Sequence, residues 1–203
     1  MNIGIDVDGV LIDINKFQIE NGKKFFNDDK HFLNECAFSF RDMFNCTMEE
    51  NDTFWRKYIW KYCLKSECVK DASAVIKKLK EDGNNIYIIT SRVFTTENGL
   101  KGNIFRSMLK SWLKKNEIPY DDIKFCSVEK SAEEKYYACK DLNIDIMIED
   151  QKFNSFIISE VSKVLLMSRP YNIGINDKNN IIRVNNFKEV YDQIKKQYNV
   201  KGL

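Results

Sequence analysis

The feature that most constrains this chain is a regular alternation from Asp71 onward. Short runs rich in Ile, Val and Leu are separated by longer segments whose apolar residues recur at three- and four-residue spacing. NIYIIT (85–90), IKFCS (123–127), IDIMIED (144–150) and KVLLM (163–167) read as strands, and IIRV (181–184) as a further one. Between and after them, AVIKKLKEDG, IFRSMLKSWLKKN, AEEKYYACKDL, FNSFIISEVS and the closing FKEVYDQIKKQY read as helices. Asp71 and Ser131 stand where two helices would be capped, and Gly83 where one would end. The opening MNIGIDV is one more strand, its Ile and Val content suiting burial on both faces. Strands joined by helices form a parallel sheet covered on both sides. The expected fold is α/β: a Rossmann-like parallel sheet of five to six strands with helices on both faces.

The alternation does not begin at once. Residues 15–70 carry no convincing strand and are aromatic-rich, in FQIENGKKFF, CAFSFRDMF and DTFWRKYIWKYCL. Phe17 and Phe25, and Trp55 with Tyr58, Ile59 and Tyr62, recur at helical spacing, and Asn27-Asp28-Asp29 reads as a break. The organisation expected is a core of residues 1–14 and 71–203, with a small helical insertion at 15–70 after strand one.

Bulk properties exclude several functions. A net charge of +2 gives no electrostatic case for a broad nucleic-acid surface. Six cysteines without a CxxC, and a single histidine, argue against structural zinc and a disulfide framework, and place the thiols in the core of a cytoplasmic protein. No basic segment followed by an apolar stretch opens the chain, and no apolar run approaches the roughly 20 residues that span a bilayer. No membrane partner is expected. The oligomeric state stays open, a homodimer included.

Polar groups converge at the strand ends. Asp6 and Asp8 follow the first strand with Gly9 behind them, Thr90, Ser91 and Arg92 end the second, and Glu149 and Asp150 end the fourth. Lys135 precedes that fourth strand on its helix. In an open parallel sheet, ligands bind beyond the carboxyl ends of the strands. Carboxylates from two strands suit a hard cation such as Mg²⁺, which takes one or two carboxylates beside phosphate and water. A hydroxyl, an ammonium and turn amides suit a phosphoryl group, and a carboxylate held against phosphorus can act as a nucleophile.

In this order the segments DVDGV, IIT, Lys135 and IED resemble the four motifs of the haloacid dehalogenase (HAD) superfamily of aspartyl-phosphate phosphohydrolases. The helical region stands where that superfamily inserts a cap. WLKKNEIPYDDIKF, KYYACKDLNIDIMIEDQ and LLMSRPYN are similar to segments of its 5'-nucleotidase, 5'(3')-deoxyribonucleotidase-like branch, RPYN being the most particular. The resemblance implies Asp6 as nucleophile and Asp8 as general acid and base. It implies Thr90, Ser91 and Lys135 around the phosphate, and Mg²⁺ on Asp6, Asp8 (by its backbone carbonyl) and Asp150. Dehalogenases of the superfamily lack the second aspartate, so Asp8 argues for phosphate chemistry. The pair reads Glu149-Asp150 where many relatives carry two aspartates, which leaves Glu149 as a second-layer group or an alternative ligand. Lys130 is the rival of Lys135, whose spacing to Asp150 fits the nucleotidase pattern better.

Further candidates are weighed against plainer readings. Arg92 and Arg169 are substrate-binding candidates against a surface ion pair and loop packing around Pro170, and Tyr171 shares the latter alternative. Phe17, Phe40, Phe44, Trp55 and Trp60 are available to stack on a base, against a role as the core of a helical bundle. His31, beside Lys30, reads as an unremarkable surface residue. The expected activity is hydrolysis of a small phosphorylated substrate, a nucleoside or deoxynucleoside monophosphate. The alternatives are a sugar phosphate or other small phosphomonoester, and a non-catalytic binding protein of the same fold.

Overall fold

The computed structural model describes residues 1–27, 34–174 and 180–201. Six strands form one sheet, all neighbours parallel: β1 (Asn2–Ile5), β2 (Asn85–Thr90), β3 (Asp122–Phe125), β4 (Ile146–Glu149), β5 (Lys163–Met167) and β6 (Ile181–Val184). Their spatial order is β3-β2-β1-β4-β5-β6. The fold is α/β, a parallel six-stranded sheet with helices on both faces.

Alternation along the strands feeds two cores, because successive side chains point to opposite faces. Ile3, Ile5, Ile86, Ile88, Ile146, Ile148 and Leu165 enter one. That core is closed by α4 (Ala72–Glu81), α5 (Gly99–Lys115) and α8 (Phe187–Lys201), through Ile76 and Leu79, Trp112 and Leu113, and Val190 and Ile194. Ile89, Met147, Val164 and Leu166 enter the other, closed by α6 (Ser131–Asp141) and α7 (Lys152–Ile158) through Ala138, Cys139 and Ile158.

Between β1 and α4 lie α1 (Ile14–Phe26), α2 (Phe40–Phe44) and α3 (Met48–Lys65). The chain leaves and returns at one place, since Ile12 and Cys68 form an antiparallel bridge and Val69 N donates to Leu11 O at 2.8 Å. The helices share an aromatic core in which Phe40 stacks on Phe54 at 3.6 Å and Phe25 and Phe26 pack edge-on. Gly22 on α1 makes room for it, because a Cβ there would run into the Phe44 ring. On its other side α3 meets α5: Trp112 Nε1 donates to Ser66 O at 2.8 Å and Trp60 packs on Phe105.

Three local expectations are corrected. Asp71 does precede α4, but its backbone is left-handed (φ 64°) and its side chain makes no capping bond. Ser131 is the first residue inside α6, whose cap position is Lys130; its hydroxyl accepts instead from Asn154 Nδ2 at 3.1 Å. Of the six thiols, all free, Cys46, Cys63, Cys126 and Cys139 are buried, while Cys36 is exposed and Cys68 half-buried. Asp28, Asp29 and His31 lie outside the described residues.

Candidate active site

From β1 the chain moves to β2 and β3 on one side, then returns to place β4 against β1 and continues outward through β5 and β6. This reversal opens a crevice at the carboxyl ends of β1 and β4. Asp6 follows β1 and Asp150 follows β4, so the two carboxylates flank the reversal. Between Asp6 and α1 the turn is tied by three amides, of Val10, Leu11 and Ile12, donating to Val7 O. Gly9 adopts φ +87°, and a Cβ there would collide with the Asp150 carboxylate. A side chain at position 9 would therefore both strain the turn and fill the site.

Lys135 is fully buried and its ammonium bridges Asp6 Oδ2 at 2.8 Å and Glu149 Oε2 at 2.7 Å. Lys130, the rival, is exposed at the start of α6. Glu149 has both oxygens engaged, Oε1 accepting from Gln151 N at 3.0 Å and Asn154 Nδ2 at 3.3 Å. Asp150 accepts from the Tyr171 hydroxyl on Oδ2, and its main-chain oxygen accepts from Asn172 Nδ2 at 2.7 Å. Arg169 Nε donates to Gly9 O at 2.6 Å, and its guanidinium pairs with Asp13 at 3.7 Å. The Arg169–Asn172 segment thus grips the turn and Asp150 rather than lining the cleft, which explains why it reads so distinctively in the sequence.

Asp6, Glu149 and Asp150 bring three carboxylate oxygens within 4.8 Å of one another. Burial pushes Asp6 up to about 7, against the pull of Lys135 and with the push of Glu149. Burial, then Glu149 and Asp6, hold Asp150 well above the usual carboxylate range. Burial would lower Lys135, but Asp6 and Glu149 outweigh it and raise the ammonium. Three carboxylates against one ammonium leave two negative charges in excess, a burden that a divalent cation cancels. Asp6 Oδ1 and Asp150 Oδ1 are buried without any hydrogen-bond partner. All-oxygen donors, excess charge and two orphaned oxygens fit a hard divalent ion held by Asp6 and Asp150, with Glu149 fixing Lys135 beside them.

Asp8 is not part of that triplet. Its Oδ1 accepts from the Tyr62 hydroxyl and pairs with Arg92 Nη2 at 3.3 Å, while its own carbonyl oxygen accepts none of the turn's backbone hydrogen bonds. Arg92 is buried, with its guanidinium 4.9 Å from the Tyr62 ring, so the surface reading of this residue does not describe it. Thr90 Oγ1 and Ser91 Oγ are buried and unpartnered.

These groups floor a cleft of about 570 Å³ whose other lining includes residues between β1 and α4, Gln18, Phe38, Phe40, Trp55 and Ile59 among them. Phe17 lies behind that lining, stacked on Trp55 and edge-on to Tyr62. Phe44 is buried in the aromatic core, and Trp60 of α3 is half exposed and packs against Phe105 of α5, outside the cleft. Sequence reasoning missed Tyr62 as the partner of Asp8 and passed over Gln18, Gln151 and Asn154; only the helical spacing of Ile14 and Gln18 hinted that α1 turns this face inward.

Comparison with known proteins gives the context. Residues 1–199 match the family model described as 5' nucleotidase, deoxy (pyrimidine), cytosolic type C protein. A curated nucleotidase of Clostridium acetobutylicum is 31% identical over 192 residues, covering 94% of this chain and 92% of the relative. The crystal structure of a predicted phosphatase from the same organism superposes with a TM-score of 0.62 at 19% identity, over 96% of this chain and 98% of that one. A HAD family hydrolase from Deinococcus radiodurans, with bound phosphate and sodium, gives 0.63 at 13% identity over 96% and 95%. The chain belongs to the cytosolic type C 5'-nucleotidase family, and with it to the HAD-superfamily phosphoric monoester hydrolases.

Proposed function

We propose that this protein is a Mg²⁺-dependent 5'-nucleotidase that hydrolyses (deoxy)nucleoside monophosphates through an aspartyl-phosphate on Asp6. The observation that carries the reading is a set of buried oxygens without partners, Asp6 Oδ1, Thr90 Oγ1, Ser91 Oγ and Asp150 Oδ1, gathered on one sheet edge. Buried polar atoms are rarely left unpaired, so their partners belong to a bound group. Family membership supplies the substrate class, and the aromatic lining is suited to a flat base.

When bound, Mg²⁺ supplies positive charge to the phosphoryl oxygens, held by Asp6 and Asp150 with the Asp8 carbonyl. Asp6 attacks phosphorus, its Oδ2 oriented by Lys135, whose charge also offsets that of the phosphoryl group. The ester P–O bond breaks, and the nucleoside oxygen takes a proton from Asp8. Thr90 and Ser91 donate their hydroxyls to phosphoryl oxygens. Water then attacks the same phosphorus, Asp8 accepts its proton, and inorganic phosphate leaves with Asp6 restored. The inserted helices, residues 15–70, act as the cap that excludes bulk water during both transfers. The buried free thiols and the family's cytosolic description support a cytoplasmic setting.

Phosphate release from a panel of nucleoside monophosphates and sugar phosphates, with Mg²⁺ and with chelator, tests the reading. Chelator-sensitive release led by nucleotides is expected. Release led by a sugar phosphate would overturn the substrate class, and absence of release would overturn the activity.

A further inference from the structure

The wall of the cleft holds one buried polar group that the chemistry above does not use. Gln18 lies on α1 one turn beyond Ile14, and both side chains line the cleft. Gln18 is 3% exposed, and its Oε1 accepts no hydrogen bond. The inserted region also lines the cleft with Phe38, Ser39, Phe40, Asn51, Trp55, Arg56 and Ile59, and none of them donates to that oxygen. Leaving a buried amide oxygen unpaired costs stability. A leucine at this position would carry no such cost, so the amide is retained against stability and its partner is to be sought in whatever fills the cleft.

The chemistry of that partner follows from the side chain. A carboxamide offers an acceptor and a donor side by side in one plane. It matches a planar ring edge that carries an N–H beside a carbonyl or ring nitrogen, as every nucleobase does. A sugar hydroxyl could meet one of the two groups, but it would leave the flanking rings without a flat face to pack on. The polar floor and the wall also divide the cleft into two chemically distinct ends. Phosphate chemistry occupies the floor, and the amide belongs to a wall that includes the aromatic rings of Phe38, Phe40 and Trp55.

We infer that Gln18 reads the hydrogen-bonding edge of the base and so sets the preference for a nucleotide over the corresponding abasic sugar phosphate. The inference rests on the nucleotidase reading above. It is tested with the wild-type chain and with Gln18→Leu and Gln18→Met, two substitutions of similar volume that lack the amide. kcat/KM is measured for the four deoxynucleoside monophosphates and for deoxyribose 5-phosphate, with Mg²⁺ present. The expected result is a fall of about tenfold to a hundredfold in the ratio of nucleotide to abasic hydrolysis, carried by KM rather than kcat. A ratio kept within about twofold, whether both rates hold or both fall together, would overturn the role of Gln18. A wild-type ratio near one would instead overturn the nucleotidase reading, a result the variants do not affect.

Discussion

Replacing Lys135 with Met removes one buried charge and little volume. In the folded protein this ammonium is 2.8 Å from Asp6 and 2.7 Å from Glu149, with no solvent to take its place. Breaking a buried pair from one side costs about 3–5 kcal/mol, a large share of the roughly 5–15 kcal/mol that stabilises a domain. The cost depends on pH, and its sign follows from proton counts. Asp6 sits at about 7 with Lys135 beside it; without that cation it titrates higher still. Above pH 7 the folded variant then keeps a proton that the unfolded chain has lost, so its stability falls as pH rises, by about 1.4 kcal/mol per unit. The wild type, whose Asp6 completes its ionisation just above pH 7, loses only about 0.4 kcal/mol on this account. Urea unfolding in chelator at pH 7 and pH 8.5 measures both quantities. A deficit below about 1 kcal/mol, or one that does not grow between the two pH values, would refute the placing of Lys135 as the cation of this cluster.

Other outcomes follow from the same geometry. Tyr62→Phe keeps the ring under Arg92 but removes the hydroxyl that orients Asp8; kcat should fall about tenfold, within the range of general acid–base effects, with KM little changed, and steady-state kinetics would show an equal rise in KM if Tyr62 served binding instead. Gly9→Ala forces a Cβ into the Asp150 carboxylate at φ +87°, so it should cost roughly 1–3 kcal/mol in thermal or urea unfolding and weaken Mg²⁺ binding by calorimetry. Asp6→Asn should abolish turnover yet raise the unfolding midpoint in chelator at pH 8, because it removes an ionised group whose burial pushes it up to about 7; a lower midpoint would contradict the charge excess assigned to the site.

How much of this was legible in the sequence depends on the range of the interaction. Strands buried on both faces announce themselves as apolar runs, and NIYIIT, KVLLM and IIRV coincide with β2, β5 and β6. The strand ends were equally readable, because Asp6, Thr90 and Asp150 owe their placement to the crevice at the strand-order reversal and not to their neighbours. Capping was less so: Ser131 and Asp71 have suitable side chains, but the left-handed turn at Asp71 and the pull of Asn154 on Ser131 are decided by tertiary geometry. The partner of Asp8 was out of reach, since Tyr62 stands 54 residues away on a helix whose packing no local pattern specifies. The choice for Arg92 between substrate binding and a surface ion pair stayed open for the same reason, since its burial goes with that ring. Helical spacing in α3 marked the aromatics without saying which face meets the cleft, so Trp55 on the cleft wall and Trp60 packed against α5 looked alike.

The most direct test of the mechanism is to look for the covalent intermediate. The wild type during turnover, and the Asp8→Asn variant, which lacks the acid of the first step and the base of the second, would each be incubated with a deoxynucleoside monophosphate and Mg²⁺, quenched in acid, digested and analysed by mass spectrometry. The account predicts one added phosphoryl group on the peptide that carries Asp6, absent when Asp6 is also changed to Asn. Turnover by the wild type with no phosphorylated peptide in either protein, or the group found on any other residue, would contradict it.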